Sequence, residues 1–274
     1  MPELPEVEVV RMGLTTHVVG RTIQDITWSN KKLRMPVPRA FLDNLIKGRI
    51  ITRVDRRGKY LLFRMDNKAS LVIHLGMSGK LSLFSKEQPL RKHDHLRFHL
   101  DNGVELRFND ARRFGSVQVL PPGADETNLL NIKGVEPLSR NFSKTYLAKM
   151  ALHKTKPVKN FLMDGAVVLG IGNIYASETL FIAGINPNRE SGCISATEWA
   201  KIIRAGRAVL KKAIKFGGTT ISDFVNSSNN PGYFQNQLMV YGREGKPCPK
   251  CKRQIIRQVM AGRATYFCPH CQKV

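Results

Sequence analysis

The sequence has few acidic residues for its length. Only 21 Asp and Glu stand against 44 Lys and Arg among 274 residues, which gives a formal net charge of +23. Because a basic excess of this size favours binding to polyanions, nucleic acid is the expected partner. The basic residues are spread along the whole chain, so a neutral globular domain with a basic tail is excluded.

Long apolar runs are also missing. No stretch approaches the roughly 18 consecutive apolar residues of a membrane-spanning helix, and no basic amphipathic helix has a wide apolar face. Near the amino terminus, glutamates stand where a signal peptide has lysine or arginine, and no apolar segment follows them. We therefore expect an intracellular protein and not a membrane-surface or secreted one.

Internal repeats and low-complexity tracts are absent, and the length suits two or more domains.

A helix is predicted at 3–19, because apolar residues recur there every three or four positions. Short segments separated by turns then predict β-strands at 49–55, 59–65, 70–75, 80–84, 95–100, 104–109 and 115–120. Several short strands at this spacing indicate a sandwich or barrel.

The pattern changes in the second half of the chain. We interpret 121–142, which is rich in Pro, Gly and Asn, as a linker. Helices are predicted after it at 143–152, 156–164, 173–184, 195–216 and 219–226, the last with Thr219 and Ser222 as capping residues. The sequence thus predicts an α+β protein with domain boundaries at 1–135, 136–236 and 237–274.

Four of the five cysteines form two close pairs. These are Cys248, Cys251, Cys268 and Cys271, with sixteen residues between the pairs. In an intracellular protein this spacing is typical of a four-thiolate zinc ribbon and not of disulfides. We predict one structural Zn²⁺, because four protein ligands leave no open coordination position. His270 is expected to be a neighbour of the metal, and Cys193 a free thiol.

The first eight residues, MPELPEVE, allow two interpretations. Proline and glutamate are ordinary residues at the start of a helix. Alternatively, Met1 is removed, as is usual before a small residue, and Pro2 becomes a free secondary amine. An α-amino group has a reference pKa of about 7.7–8.0 against about 10.4 for lysine, so more of it is neutral and nucleophilic at pH 7. Its iminium ion has no N–H proton to lose and stays an electron sink.

Several turns present residues suited to DNA. Met77 stands between glycines, and Arg112 and Phe114 precede Gly115. Planar and apolar side chains at such turns can enter a base stack. Arg263 follows the tip of the predicted ribbon hairpin, where its guanidinium suits bidentate contact with phosphate.

Two more segments are basic or glycine-rich. Lys59 lies behind two arginines and a glycine, in what is either a solvated turn or a functional one. A Gly-Ile-Gly-Asn turn at 170–173 opens a helix, whose N-terminal N–H groups would bind phosphate. Three lysines just before it, Lys154, Lys156 and Lys159, add a basic face.

The chain resembles formamidopyrimidine-DNA glycosylase in segments that occur in family order from residue 2 to 271: MPELPEVE, RRGKYLLF, HLGMSG, RRFG, GIGNIYASE, GGTT, PGYF, VYGR and the cysteine ribbon with GRATYFC. The resemblance implies an N-terminal β-sandwich with flanking helices, a helix–two-turn–helix domain and a C-terminal zinc ribbon. It implies a monomer that binds damaged double-stranded DNA across a cleft between two lobes. The expected location is the bacterial cytosol, with a substrate associated with the nucleoid.

The implied activity is base excision repair by a DNA glycosylase that is also a DNA-(apurinic or apyrimidinic site) lyase. Oxidised purines such as 8-oxoguanine and formamidopyrimidines would be removed through a Schiff base, followed by β,δ-elimination. The resemblance implies Pro2 as nucleophile, Glu3 as acid/base residue and Glu6 as the residue that positions the amine. It assigns β-elimination to Lys59 and δ-elimination with phosphate binding to Arg263.

Six further positions are implied to contact DNA. Met77, Arg112 and Phe114 match the side chains that fill the space left by a flipped nucleotide. His93, Lys154 and Asn173 match contacts to the DNA backbone.

The sequence departs from the family pattern in two places. Gly165 and Ala166 stand where relatives more often carry Asn or Gln, and Ser222 where some carry Lys. The segment from 219 through PGYF at 231–234 resembles a loop that closes over an everted 8-oxoguanine. These changes leave the strand-cleavage residues intact and bear on base preference.

Two other interpretations stay open. The first is an endonuclease VIII-like glycosylase for oxidised pyrimidines, against which stand Leu4 and the intact set Met77, Arg112 and Phe114. The second is a non-catalytic DNA-binding zinc protein. Such a protein would have no use for a Pro2 amine followed by an acidic residue.

Overall fold

The computed structural model describes residues 1–130, 132–219 and 233–273. The chain divides into two compact units, the first comprising 1–131 with 216–233 and the second 132–215 with 234–274. Within the described ranges, no helix is long and apolar enough to cross a membrane. The predicted three-domain division stays a prediction.

The first unit opens with helix α1 (Leu4–Val18), whose apolar stripe Val7, Val10, Leu14 and Val18 is buried. Antiparallel strands follow in two four-stranded sheets, ordered β1-β6-β7-β5 and β2-β3-β4-β8. The strands are β1 (Ile23–Trp28), β2 (Ile51–Arg57), β3 (Tyr60–Met65), β4 (Ser70–His74), β5 (Lys80–Ser85), β6 (Asp94–Leu100), β7 (Val104–Asn109) and β8 (Ser116–Leu120).

One hydrophobic core joins α1 to both sheets. It includes Leu14 from the helix, Phe63 and Ile73 from one sheet, and Phe98 and Phe108 from the other. Burial of these faces against each other is the main favourable term in forming such a sandwich. The predicted β-sandwich with a flanking helix is confirmed.

Three elements of the first unit were not predicted. Strand β1 carries polar residues among its apolar ones, and the buried residue of helix α2 (Arg39–Leu45) is Leu42. Neither segment therefore shows a clear period of apolar residues in the sequence. Helix α3 (Glu126–Leu129) lies inside the predicted linker, where the Asp125 carboxylate accepts from the N–H groups of Thr127 and Asn128. A short capped turn of this kind leaves no periodic signal.

The second unit contains helices α4 (Lys144–Ala151), α5 (Val158–Leu162), α6 (Asn173–Ala183) and α7 (Ala196–Lys215). The predicted linker continues into this unit and is packed there, since Val135 pairs with Val168 and Phe142 is buried. The helix predicted at 219–226 is wrong at its start, because Thr219 forms an extended bridge with Tyr233. The remainder of that segment, including Ser222, lies outside the described residues.

The cysteine region forms a ribbon within the second unit. Strands β9 (Ile256–Met260) and β10 (Arg263–Phe267) pair as a hairpin. Its two-residue tip, Ala261-Gly262, has φ values of 45° and 73°, the left-handed conformation that two-residue hairpin turns use. Phe181 of α6 shares a small core with Ile255 and the ribbon cysteines, so the ribbon packs on the helices.

Candidate functional site

The amino-terminal turn is buried. Pro2 precedes Glu3, which is the N-cap of α1 and has extended φ and ψ of −104° and −171°. The backbone N–H of Glu3 donates to Oε2 of Glu6 at 2.9 Å. The side chains of Glu3 and Glu6 are both buried. The helix-start interpretation of the first eight residues is therefore confirmed, and the helix start holds two buried carboxyl side chains within four residues of Pro2.

The second carboxylate oxygen of Glu6 binds a segment 213 residues away. Oε1 accepts from the backbone N–H of Thr219 at 2.8 Å and from its hydroxyl at 2.9 Å. Gly218 has φ +80°, and a Cβ there would stand 3.1 Å from Oε1 of Glu6. The backbone conformation favours glycine here, and any larger residue would also crowd the Glu6 carboxylate. Sequence reasoning missed this pairing, for which the GGTT motif was the available signal.

Lys59 lies in a two-residue turn between β2 and β3. Gly58 has φ 55°, and Arg57 pairs with Tyr60 across the turn. The guanidinium of Arg56 holds this turn, because its Nη1 donates to the Gly58 carbonyl at 3.0 Å. The Lys59 side chain is half-buried.

His74 stands at the end of β4, close to this turn. Its ring centroid lies 4.8 Å from that of Tyr60, and its Nδ1 accepts from the N–H of Gly76 at 3.1 Å. Burial, with the positive charges of Lys59 and Arg34, lowers the pKa of His74 to about 4. The ring is therefore neutral at pH 7, with its proton on Nε2. His74 is the first residue of the HLGMSG segment, and no role was predicted for it from the sequence.

The structure brings Met77, Arg112 and Phe114 together. The turn holding Met77 touches the turn holding the other two, since a Cβ on Gly76 would meet the backbone of Phe114 at 2.4 Å. Met77 is 37% exposed and Phe114 45% exposed, and the Arg112 guanidinium lies 5.0 Å from the Phe114 ring centroid. Three exposed side chains are thus presented by two touching turns.

His93 is joined to the same region through its backbone. Its carbonyl accepts from the N–H of Asp110 at 3.1 Å, and its φ is 79°. The described parts of the first unit thus carry Pro2, Lys59, His93 and the exposed set of three.

The second unit carries the remaining predicted DNA-contacting residues and Arg263. Arg263 is exposed at the start of β10. Behind it, Nδ2 of Asn173 donates to the carbonyl of Ala264 at 2.8 Å, and Nζ of Lys159 donates to the hydroxyl of Thr265 at 2.6 Å. Lys159 is fully buried. Two side chains from the helices thus hold the strand that starts with Arg263.

Arg263 also lines a cavity of about 300 Å³ together with Lys156, Lys159 and Asp164. Lys156 pairs with Asp164 at 2.8 Å. Lys154 is exposed in the loop ahead of α5 and does not line this cavity. Gly165 and Ala166, where the sequence departs from the family pattern, form an exposed turn.

The four ribbon sulfurs form a metal-binding cluster. The Sγ atoms of Cys248, Cys251, Cys268 and Cys271 all lie within 4.8 Å of one another. Tetrahedral Zn²⁺ with bonds of about 2.3 Å separates its sulfurs by about 3.8 Å. Two Sγ pairs here are 3.5 and 3.9 Å apart. The cluster fits one Zn²⁺ and does not include His270, while Cys193 is an exposed free thiol, both as predicted.

Three family models match the chain: the formamidopyrimidine-DNA glycosylase N-terminal domain at residues 1–117, its H2TH domain at 133–225, and a zinc finger found in FPG and IleRS at 245–274. A formamidopyrimidine-DNA glycosylase of Legionella pneumophila is 46% identical over 274 residues, covering all of this chain and 99% of the relative. The chain belongs to the formamidopyrimidine-DNA glycosylase family. It is therefore a DNA glycosylase, and the predicted family, fold class and zinc cofactor are confirmed.

Other formamidopyrimidine-DNA glycosylases are similar to this chain in sequence or in structure. The Stenotrophomonas maltophilia relative is 47% identical, with complete coverage of both chains. The Lactococcus lactis Fpg structure with N7-benzyl-Fapy-dG DNA has a TM-score of 0.91 at 34% identity and covers both chains completely. The Thermus thermophilus MutM structure has a TM-score of 0.87 at 39% identity, covering 99% of this chain and 98% of that one.

Proposed function

We propose that this glycosylase excises oxidised purines from double-stranded DNA through a Schiff base on Pro2, and then cleaves the strand by β,δ-elimination. The observation that carries the proposal is the amino-terminal turn. Pro2 precedes a helix whose first turn is held by the Glu6 carboxylate, with Glu3 buried beside it in the chain. The choice of oxidised purines is supported by related structures that contain Fapy-dG DNA and carbocyclic 8-oxo-G DNA, while a further Lactococcus lactis Fpg structure contains an oxidised pyrimidine.

Base removal begins when the neutral amine of Pro2 attacks C1′ of an everted nucleotide and the damaged base departs. Eversion costs a few kcal/mol, and a damaged base lowers that cost. Glu3 serves the sugar ring oxygen as acid and base, and Glu6 holds the turn that bears the amine. The product is an iminium ion between Pro2 and the opened sugar.

Strand cleavage follows from the acidity of C2′ next to the iminium carbon. Loss of a C2′ proton expels the 3′ phosphate in a step assigned to Lys59, and a second elimination assigned to Arg263 expels the 5′ phosphate. Positive charge near the departing phosphates stabilises the negative charge that develops on them. Water then hydrolyses the iminium bond, which restores the Pro2 amine and releases the sugar remnant as an unsaturated aldehyde. The other products are a free base and a one-nucleotide gap with phosphate at both ends.

DNA binding is proposed for six exposed or half-buried residues of the two units. Met77, Arg112 and Phe114 would fill the space left by the everted nucleotide. His93, Lys154 and Asn173 would contact the DNA backbone. Because phosphate contacts release counterions, affinity should fall steeply with salt. We also propose three functional domains, at 1–135, 136–236 and 237–274, in a monomer that acts in the bacterial cytosol.

Zinc is proposed to have a structural role. Cys248, Cys251, Cys268 and Cys271 would hold it, and four thiolate bonds would fix the ribbon that carries Arg263. No vacant coordination position is needed for the reaction.

Borohydride trapping tests the covalent step. The protein is mixed with 8-oxoguanine duplex and reduced, and we expect a stable adduct with the damaged duplex and none with an undamaged one. The double variant Pro2→Gly/Glu3→Gln should lose most of the adduct, while Arg53→Lys, an exposed change on β2, should keep it. Intact mass of the active protein must show Met1 removed. An undiminished adduct in the double variant would refute the proposal.

A further inference from the structure

Arg56 connects helix α1 to the turn that carries Lys59. Its Nε donates to Oε2 of Glu8 at 2.9 Å, and its Nη1 donates to the carbonyl of Gly58 at 3.0 Å. The Arg56 side chain is only 10% exposed and that of Glu8 17%. One guanidinium therefore spans two elements that are both close to predicted catalytic residues in the chain.

The Glu8 end of this link belongs to the helix that begins behind Pro2. Glu8 lies five residues after Glu3, which is about 7.5 Å along a helix. Its other oxygen, Oε1, accepts from Arg11 on the next turn at 2.7 Å. Burial raises the pKa of Glu8, but its bonds to Arg11 and Arg56 outweigh this and lower it overall, so the carboxylate stays charged at neutral pH.

The Gly58 end of the link sets the direction of Lys59. A peptide group is planar, so the Gly58 carbonyl lies in one plane with the nitrogen and Cα of Lys59. Holding the carbonyl oxygen therefore limits rotation of the peptide from which the Lys59 side chain departs.

We propose that Arg56, held by Glu8, is a positioning residue that sets the Lys59 amine relative to the Pro2 amine during strand cleavage. This inference rests on the proposed function, in which Pro2 forms the Schiff base and Lys59 serves β-elimination. Arg56 touches neither the DNA nor the reacting atoms in this scheme. It acts through the peptide between Gly58 and Lys59.

Arginine is needed for this role because its guanidinium is a rigid, planar fork. Nε and Nη1 point in different directions, so one side chain can hold the carboxylate and the carbonyl together. A lysine at position 56 keeps the charge but offers a single nitrogen on a flexible chain. Arg56→Lys thus cannot hold the Glu8 carboxylate and the Gly58 carbonyl together, but it keeps the positive charge beside Glu8.

The test uses DNA with a preformed abasic site, so that base removal is not required. Borohydride trapping at early times measures Schiff-base formation, and single-turnover strand cleavage measures β-elimination. For Arg56→Lys we expect trapping within about twofold of wild type, and cleavage slowed about tenfold to a hundredfold, the range that a misplaced reacting group produces. An uncleaved covalent complex should accumulate.

The matched control is Arg53→Lys on the same strand. Arg53 is 69% exposed and pairs with Asp55, away from the turn. This variant should trap and cleave like wild type. Glu8→Gln leaves Arg56 in place and should slow cleavage less than Arg56→Lys. In the double variant, the two effects should not add, since both changes act through one contact.

The outcomes separate this inference from the proposed function. If wild type forms no trapped adduct, the proposed function fails and the inference fails with it. If wild type is trapped but Arg56→Lys cleaves at the wild-type rate, only the inference is refuted. It is also refuted if trapping, cleavage and the thermal unfolding midpoint fall together, because that pattern indicates a general loss of structure. Should Arg56→Lys not fold, Glu8→Gln carries the same comparison.

Discussion

The hydroxyl of Ser78 donates to Oδ1 of Asp110 at 2.6 Å and joins the two turns that present the exposed side chains. The same hydroxyl oxygen accepts from the N–H of Arg112 at 3.1 Å. Oδ2 of Asp110 accepts from the N–H of Gly115 at 2.7 Å, and Asp110 is fully buried. One serine and one aspartate therefore set the spacing between Met77 on one turn and the arginine and phenylalanine on the other.

Ser78→Ala should separate base eversion from strand cleavage. Loss of the hydroxyl leaves a buried carboxylate oxygen without this donor, a cost of about 1–3 kcal/mol. We expect excision of 8-oxoguanine to slow more than cleavage at a preformed abasic site, where no base has to be everted. Single-turnover rates on the two substrates provide the measurement. Equal slowing on both would contradict a role of these turns in eversion.

Acidification should destabilise the first unit through His74. Its pKa is lowered to about 4 in the folded protein, against about 6.5 when unfolded. The unfolded chain therefore binds an extra proton between these values, so stability is fully present above pH 6.5 and is lost as the pH falls towards 4. A shift of this size corresponds to about 3 kcal/mol.

Urea unfolding of wild type and His74→Gln at several pH values between 7 and 4 measures this contribution. The variant loses the contact with Gly76, so it should be the less stable protein at pH 7. The difference in free energy of unfolding between the two proteins should shrink as the pH falls. Wild type loses the contribution of His74 on acidification, whereas glutamine does not titrate. A constant difference across this range would show that His74 is not buried in its neutral form.

Thr265→Val should loosen the strand that begins with Arg263. Valine keeps the shape of threonine but removes the oxygen that accepts from the buried ammonium of Lys159. Removing the acceptor of a buried donor costs about 1–3 kcal/mol. We expect the products to shift from β,δ-elimination towards β-elimination, with zinc content unchanged. Gel analysis of the cleaved strand measures the shift, and wild-type product ratios would refute the role of this contact.

Loss of zinc should abolish DNA binding. The ribbon cysteines share a core with Phe181 of α6 and Ile255, so freeing the metal affects helix packing as well as the ribbon. Structural zinc contributes on the order of 10 kcal/mol to the folding of small zinc domains. After chelation or in Cys248→Ser, DNA affinity should be abolished while the N-terminal unit stays folded. Binding titrations with circular dichroism test this, and retained affinity in a metal-free protein would contradict it.

Much of the fold could be predicted from the sequence because its signals are local. The apolar residues of α1 recur at helical spacing, and the seven predicted strands each overlap an observed strand. The zinc ligands follow from two Cys-x2-Cys pairs, whose sulfurs the hairpin between them brings together. Elements without a local period, such as β1 and α2, were missed for the same reason.

The candidate site depends on contacts between segments far apart in the chain. Glu6 binds Thr219, Glu8 binds Arg56, and Lys159 binds Thr265. The low pKa of His74 likewise comes from burial and from charges brought to it by folding. Periodicity and motif spacing cannot encode such pairs, since each depends on which faces the folded chain buries together. Sequence alone was thus sufficient for the four-cysteine metal cluster and the family. Tertiary structure decided which side chains hold the amino-terminal turn, the lysine turn and the arginine strand in place.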